Sequence, residues 1–104
     1  MAGADVGFAV IYRWTIREDK TEEFQEAWEK VTAAIRAQRE GLGSRLHQDE
    51  DGTWVAYAQW PDRETWEKSL GLGPVDEVAS AVMTEANEKS NHPVLLTPVR
   101  DRLA

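Results

Sequence analysis

One stretch of the chain decides the fold, because it encodes two strands, a tight turn and the start of a helix. It runs Ser44-Arg45-Leu46-His47-Gln48-Asp49-Glu50-Asp51-Gly52-Thr53-Trp54-Val55-Ala56-Tyr57-Ala58-Gln59-Trp60-Pro61-Asp62-Arg63-Glu64-Thr65-Trp66. Asp51-Gly52 predicts a hairpin turn, since both central residues of such turns take positive φ, which glycine accepts and aspartate tolerates. The flanking strands must then be antiparallel. Asp62 follows the second strand and can cap the amide of Thr65, so a helix should begin at about Arg63.

The rest of the chain surrounds this hairpin with further strand and helix patterns. Alternating residues over Gly7–Arg17 predict a strand. Asp19 and Glu22 have capping-box spacing, and apolar residues at helical spacing follow up to Gly41. The other predicted elements are strands at Leu42–Asp49 and Thr53–Trp60, a helix at Asp62–Leu70, a loop or hinge at Gly71–Pro74, a helix at Val75–Lys89, a break at Asn91–Pro93 and a strand at Val94–Leu103.

This order of elements predicts a single α+β domain over residues 1–104, with the ferredoxin-like βαββαβ plan and a four-stranded antiparallel sheet. Right-handed crossovers place both helices on one face of the sheet and leave the other face without cover from the same chain. Yet Val55 and Tyr57 alternate with Trp54, Ala56, Ala58 and Trp60, so both faces carry apolar groups. We therefore expect a homodimer in which a second copy covers the bare face and two sheets form a barrel.

Composition narrows the classes of partner. The chain has 104 residues, 41% of them hydrophobic and 30% charged, which is globular composition. A net charge of -7 disfavours nucleic acid and anionic membranes, and no apolar run approaches the length of a membrane span. Without a secretory signal, a cytoplasmic location is expected. Cysteine is absent and the two histidines lie far apart, so neither a disulfide nor a metal site is expected.

Residues spread over nearly the whole chain carry a family resemblance. They are Tyr12-Arg13-Trp14, Phe24, Trp28, Gly43-Ser44-Arg45-Leu46-His47, Asp51-Gly52-Thr53-Trp54 and Tyr57-Ala58-Gln59-Trp60-Pro61. With them the chain resembles the antibiotic biosynthesis monooxygenase domains of the dimeric α/β-barrel superfamily. That resemblance implies a small monooxygenase that oxidises an aromatic or quinone-like molecule without metal or flavin, so no cofactor is expected. The match specifies fold better than reaction, because one fold hosts many chemistries.

Such a reaction needs an aromatic pocket, a group that accepts a phenol proton, and donors that hold the resulting anion. Tyr12, Trp14, Trp60 and Trp66 are the predicted substrate-binding residues, and Trp54 and Tyr57 are further aromatic candidates. Each of these rings is equally typical of core or dimer packing.

His47, Arg13 and Tyr57 are the predicted catalytic residues. His47 can exchange a proton near neutral pH, although a strand face shared with Arg45 and Asp49 is also typical of a solvated surface. Arg13 interrupts an apolar strand and can hold an enolate or carboxylate, or pair with an acid across the dimer.

Two other functions stay open. Related barrels bind and degrade haem with an asparagine, a tryptophan and a histidine. Trp66 can match that tryptophan, but Val75–Lys89 contains no histidine and the first strand contains no asparagine. The other alternative is a ligand-binding or regulatory dimer without turnover.

Overall fold

The computed structural model describes residues 6–102, which form an α+β fold with an antiparallel sheet on one side and helices on the other. In chain order the elements are β1 (Phe8–Ile16), a short 3₁₀ turn (Glu18–Lys20), α1 (Thr21–Gln38), β2 (Gly43–Gln48), β3 (Trp54–Trp60), α2 (Arg63–Gly71), α3 (Glu77–Ala86), β4 (Asn87–Ser90) and β5 (Val94–Leu96). The predicted fold class is therefore confirmed.

The sheet has the order β2-β3-β1, with β4 and β5 both pairing with the outer side of β1. All of these pairings are antiparallel. β4 lies along the end of β1 near Trp14, and β5 lies along the end near Ala9. β5 corresponds to the predicted fourth strand, and β4 is a further short strand on the same edge. The two are separated at residues 91–93, where Pro93 lacks the amide hydrogen that a ladder needs. The sheet is open and does not close into a barrel within one chain.

The hairpin is confirmed, but its turn differs from the predicted two-residue type. Only Gly52 takes a positive φ, of 86°, whereas Asp51 does not. Asp49 instead organises a longer turn: its Oδ1 accepts hydrogen bonds from the amides of Asp51 and Thr53 at 2.8 and 3.0 Å. The side chain of Asp49 thereby replaces part of the backbone ladder, which is a common role for aspartate in turns.

Helix boundaries follow the predictions in part. Asp62 caps α2 as expected, because its Oδ1 accepts a hydrogen bond from the amide of Thr65 at 2.7 Å. The capping box at Asp19 is wrong, since that residue lies in the 3₁₀ turn and no side chain caps α1. Asp76 caps α3 through the amide of Ala79 at 2.9 Å, so this helix begins at Glu77 rather than at Val75.

The predicted extent of the last helix and last strand is also wrong. Residues predicted as the end of the helix form β4 instead, because β1 offers an unpaired edge there; the amide of Arg17 donates to the carbonyl of Ala86 at 2.8 Å. The last strand ends at Leu96, two residues before Pro98. Leu103, its predicted end, lies outside the described residues.

The strand register sorts side chains onto two faces. The cavity face, which the helices cover, carries Phe8, Val10, Tyr12, Trp14, Ser44, Leu46, Ala56, Ala58 and Trp60. The open face carries Ala9, Ile11, Arg13, Arg45, His47, Val55 and Tyr57. The open face has partial cover from its own chain, contrary to expectation: Ala9 is only 1% exposed, and residues 96–102 border a cleft beside it.

Two apolar clusters anchor the helices to the cavity face. Phe8, Val10, Trp60 and Trp66 hold α2 at one end of the sheet. At the other end Phe24 of α1 is fully buried, with its ring 5.3 Å from that of Trp14 and 5.7 Å from that of Trp54. Edge-to-face contacts at such distances stabilise aromatic pairs.

Among residues 6–102, no helix combines the length and the apolar character needed to cross a bilayer.

Candidate functional site

A cavity of about 320 Å³ lies between the cavity face and the helices α1 and α3. It is at the lower end of the range for small-molecule sites, which is roughly 300 to 1,000 Å³. Its walls are largely apolar and aromatic. The lining residues are Tyr12, Trp14, Trp28, Val31, Thr32, Ile35, Gly41, Gly43, Ser44, Ala56, Ala58, Gln59, Trp60, Ser80 and Met83.

The cavity exists because small residues occupy the middle of the sheet while large ones fill its ends. Ala56 lies opposite Tyr12, and Ala58 lies opposite Val10 and Ser44. The aromatic clusters at both ends of the sheet hold the helices away from it. The short side chains of Ala56 and Ala58 do not fill the gap that is left in the middle. Space between sheet and helices follows from this distribution of side-chain volume.

Tyr12 carries a structured polar group at the cavity wall. Its hydroxyl oxygen accepts a hydrogen bond of 2.9 Å from Nε1 of Trp66. Burial raises the pKa of the Tyr12 hydroxyl above its ordinary value, and the hydrogen bond from Trp66 opposes that rise only in part. Tyr12 is therefore protonated at neutral pH. Because its oxygen accepts the hydrogen bond from Trp66, the O–H of Tyr12 is available to donate a hydrogen bond to a ligand.

Two further polar atoms of cavity-lining residues are buried without a hydrogen-bond partner among the described residues. They are Nε1 of Trp60 and Oγ of Ser44. Buried polar atoms are nearly always paired in folded proteins, so an unpaired one needs an explanation. Both groups are hydrogen-bond donors, the kind of group with which an oxygen atom of a ligand pairs.

Charged side chains are absent from the residues that line this cavity. Such walls favour an aromatic ring system, and the N–H and O–H groups favour oxygen acceptors on it. Within residues 6–102, no group of three or more His, Cys, Asp or Glu side chains is arranged to hold a metal ion.

Three of the four predicted substrate-binding residues, Tyr12, Trp14 and Trp60, line the cavity. The fourth, Trp66, lies behind the wall: it is 6% exposed, its ring centroid is 5.5 Å from that of Phe8, and its indole binds Tyr12. Trp66 thus positions a cavity residue. All four lie on one side of the sheet. The period-two pattern of β1 and β3 indicates this for the three strand residues, whereas Trp66 belongs to α2.

The predicted catalytic residues lie elsewhere. Arg13, His47 and Tyr57 are on the open face, away from the cavity between sheet and helices. His47 is exposed, with Nδ1 3.3 Å from the carbonyl oxygen of Val55. Arg13 is exposed and Tyr57 is half-buried. Their catalytic roles stay predictions, and the geometry does not bring them to the donors described above.

Sequence reasoning missed Ser44 and the helical part of the wall. Ser44 alternates with Arg45, so its place on the cavity face is implied once the register against Ala58 is known. Trp28 and Thr32 are one helical turn apart on α1, which predicts a shared face. The sequence alone does not say that this face borders an empty volume, because that depends on how far α1 is from the sheet.

Comparison with known families decides where the chain belongs. A family model described as antibiotic biosynthesis monooxygenase matches residues 7–80, more than half of the chain. The chain belongs to this family. The matched region includes β1 to β3, α1, α2 and the start of α3, and thus most residues of the cavity. No curated protein sequence matches the chain.

Several solved structures share the fold of this chain. SnoaB of Streptomyces nogalater, a cofactor-independent oxygenase, superposes with a TM-score of 0.76 at 17% identity, over 94% of this chain and 98% of its own. Rv0793 of Mycobacterium tuberculosis superposes with a TM-score of 0.73 at 20% identity, over 92% of this chain and 98% of its own. A conserved protein of Methanosarcina mazei superposes with a TM-score of 0.73 at 10% identity, over 88% of this chain and 92% of its own. At these identities the likeness establishes the shared fold.

The Tyr12–Trp66 hydrogen bond should matter for the stability of this family member. In Tyr12→Phe the buried N–H of Trp66 loses its acceptor, which should lower the free energy of unfolding by about 1 to 3 kcal/mol at neutral pH. Urea unfolding followed by tryptophan fluorescence measures this. Tyr57→Phe is the matched control, since the Tyr57 hydroxyl makes no hydrogen bond within residues 6–102.

Tyr12→Phe should also differ from the wild type in how the free energy of unfolding changes at alkaline pH. The raised pKa of folded Tyr12 means that the unfolded chain loses this proton first as pH increases. The free energy of unfolding of the wild type should therefore fall above pH ~10. Tyr12→Phe lacks this ionisation, so the difference in free energy of unfolding between the two proteins should narrow there. A Tyr12→Phe variant as stable as Tyr57→Phe at neutral pH would contradict the assignment.

Proposed function

We propose that this chain is a small, cofactor-independent oxygenase that acts on an aromatic or quinone-like molecule bound in the cavity between sheet and helices. The observation that supports it most is the combination of apolar walls with polar groups on three lining residues, the hydroxyl of Tyr12, Nε1 of Trp60 and Oγ of Ser44, of which the last two have no partner among the described residues. Membership of the monooxygenase family and the shared fold with SnoaB, a cofactor-independent oxygenase, support the reaction type.

The hydrogen-bond donors of the lining residues suit a substrate that loses a proton before it reacts with O₂. A phenol, quinol or enol that loses its proton places negative charge on its oxygen, and hydrogen-bond donors aimed at that oxygen stabilise the anion in an apolar site. The lining residues include no carboxylate or histidine that could take the proton. The cavity would then act by lowering the pKa of the bound substrate, while the proton leaves to solvent.

The oxidation balances without a further reductant. For an anthrone, one atom of O₂ becomes the new carbonyl oxygen at the methylene carbon. The other atom leaves as water, which carries one methylene hydrogen and one proton returned from solvent in place of the proton lost on ionisation, and the substrate supplies all of the electrons. Trp14, Trp28 and Trp60 provide flat walls against which such fused rings can pack.

Oxygen uptake over a panel of anthrones, naphthols and quinols tests the proposal. We expect turnover of at least one of them, and Trp60→Phe should lower kcat by about a hundredfold, because it keeps an aromatic ring but removes the N–H donor. The rate of Trp60→Phe should also rise only at higher pH than that of the wild type, since the substrate anion is less stabilised. Loss of packing alone would not shift the pH profile.

Val78→Ala serves as the control, because Val78 is 78% exposed and is not among the lining residues. Its rate should stay within about twofold of the wild type. Binding of the panel without any oxygen uptake would overturn the oxygenase assignment and favour a ligand-binding or regulatory dimer.

We also propose that two copies pair through the open face. Support comes from apolar groups that remain accessible there: Ile11, Val55 and Tyr57 are half-buried, while Val94 and Leu96 of the adjoining β5 are 45% and 36% exposed. Apolar surface on a sheet face that no helix covers is typical of an interface between subunits. An arrangement of this kind would complete the barrel that one open sheet lacks.

The molar mass in solution tests pairing. Light scattering at micromolar concentration should give twice the mass of one chain, and Ile11→Lys should give the mass of one chain, because it places a charge within the paired face. Ala33→Lys adds the same charge on the exposed side of α1 and should stay paired. A wild-type mass of one chain would refute the proposal.

A further inference from the structure

A second, cationic cleft adjoins the aromatic cavity. Its volume is about 580 Å³, and its basic side chains are Arg36 from α1 and Arg45 and His47 from β2. Gly43, Ser44 and Gln59 line both this cationic cleft and the aromatic cavity. The two spaces therefore meet at the beginning of β2.

Arg36 lies at this junction. Its Nη1 is 3.8 Å from the position that a Cβ on Gly43 would occupy. Gly43 has a φ of 112°, a conformation that disfavours any side chain, so the strand presents no bulk between the guanidinium and the shared wall. The buried and unpartnered Oγ of Ser44 belongs to the next residue.

The charge of Arg36 is uncompensated. The chain has 19 acidic and 12 basic residues, so acids outnumber the cations available to pair with them. Yet within residues 6–102 the ion pairs involve Arg17, Lys20 and Arg63, and neither Arg36 nor Arg45 makes an ion pair or side-chain hydrogen bond. A planar guanidinium at the opening of an otherwise neutral, apolar cavity matches a carboxylate, which it can bind through two parallel hydrogen bonds.

We propose that the ligand of this site is an aromatic carboxylate, with its rings in the aromatic cavity and its carboxylate at Arg36 beside Gly43. The inference rests on the proposed function, because it assigns the rings to the same cavity. It adds the chemical class of the ligand and the residue that selects it. Arg45 also lines the cationic cleft, but it lies on the open face that pairing would cover, so the assignment rests on Arg36.

Titration with a matched pair of probes tests this. Anthraquinone-2-carboxylate and anthraquinone-2-carboxamide share their rings and differ in charge, and quenching of tryptophan fluorescence reports their binding, since Trp14, Trp28 and Trp60 line the cavity. The wild type should bind the carboxylate about fivefold more tightly than the carboxamide, as expected for one partly exposed arginine–carboxylate pair. High ionic strength should reduce that preference.

Arg36→Gln should abolish the preference and leave the affinity for the carboxamide unchanged. Lys30→Gln removes the same charge from the same helix at a position that borders a different groove, and it should keep the preference. Equal affinity for both probes in the wild type, or a preference that survives Arg36→Gln, would overturn the carboxylate assignment and leave the aromatic site standing. Failure of both probes to bind would overturn the aromatic site and this inference together.

Discussion

The antiparallel register between β1 and β3 determines where the cavity and the open face lie. It sets Tyr12 opposite Ala56 and Val10 opposite Ala58, while Phe8 meets Trp60 and Trp14 meets Trp54 at the two ends. Large residues therefore meet large ones at the ends of the sheet and small ones in its middle. A shift by one residue would exchange the two faces and remove the cavity.

Much of the fold is encoded locally and could be predicted from the sequence. The alternation in β1 and β3, the glycine of the hairpin and the cap at Asp62 each act within a few residues, so pattern and turn chemistry predict them. The errors lie where a distant segment decides. Asn87–Lys89 fall within the predicted helix, but the free edge of β1 pairs with them, and Asp49 rather than Asp51 controls the turn. Such competition between local preference and long-range pairing is invisible in a single window of sequence.

The candidate site was predictable only in part, for a physical reason. Aromatic residues at alternate positions of β1 and β3 had to share a face, which groups Tyr12, Trp14 and Trp60. Residue type does not indicate the face of the sheet. The prediction of His47, Arg13 and Tyr57 as catalytic rests on residue type, and these residues lie on the open face. The unpartnered atoms of Ser44 and Trp60 emerge only from packing in three dimensions. Residue type predicts an acid–base site, whereas the residues that line the cavity carry neutral polar groups, which is why the proposed function relies on the substrate's own ionisation.

The space between sheet and helices is proposed to receive an aromatic ligand whose oxygen pairs with hydrogen-bond donors of the lining residues. The most direct test is a ¹⁵N–¹H correlation spectrum, which contains the signals of the five tryptophan indole groups and of the backbone amides, recorded during titration with anthraquinone. The indole resonances of Trp14, Trp28 and Trp60 should move, with that of Trp60 moving downfield as its N–H gains an acceptor, while that of Trp54 stays in place because Trp54 is not among the cavity residues. Unchanged indole resonances of Trp14, Trp28 and Trp60, with shifts confined to open-face residues such as His47 and Tyr57, would contradict the account.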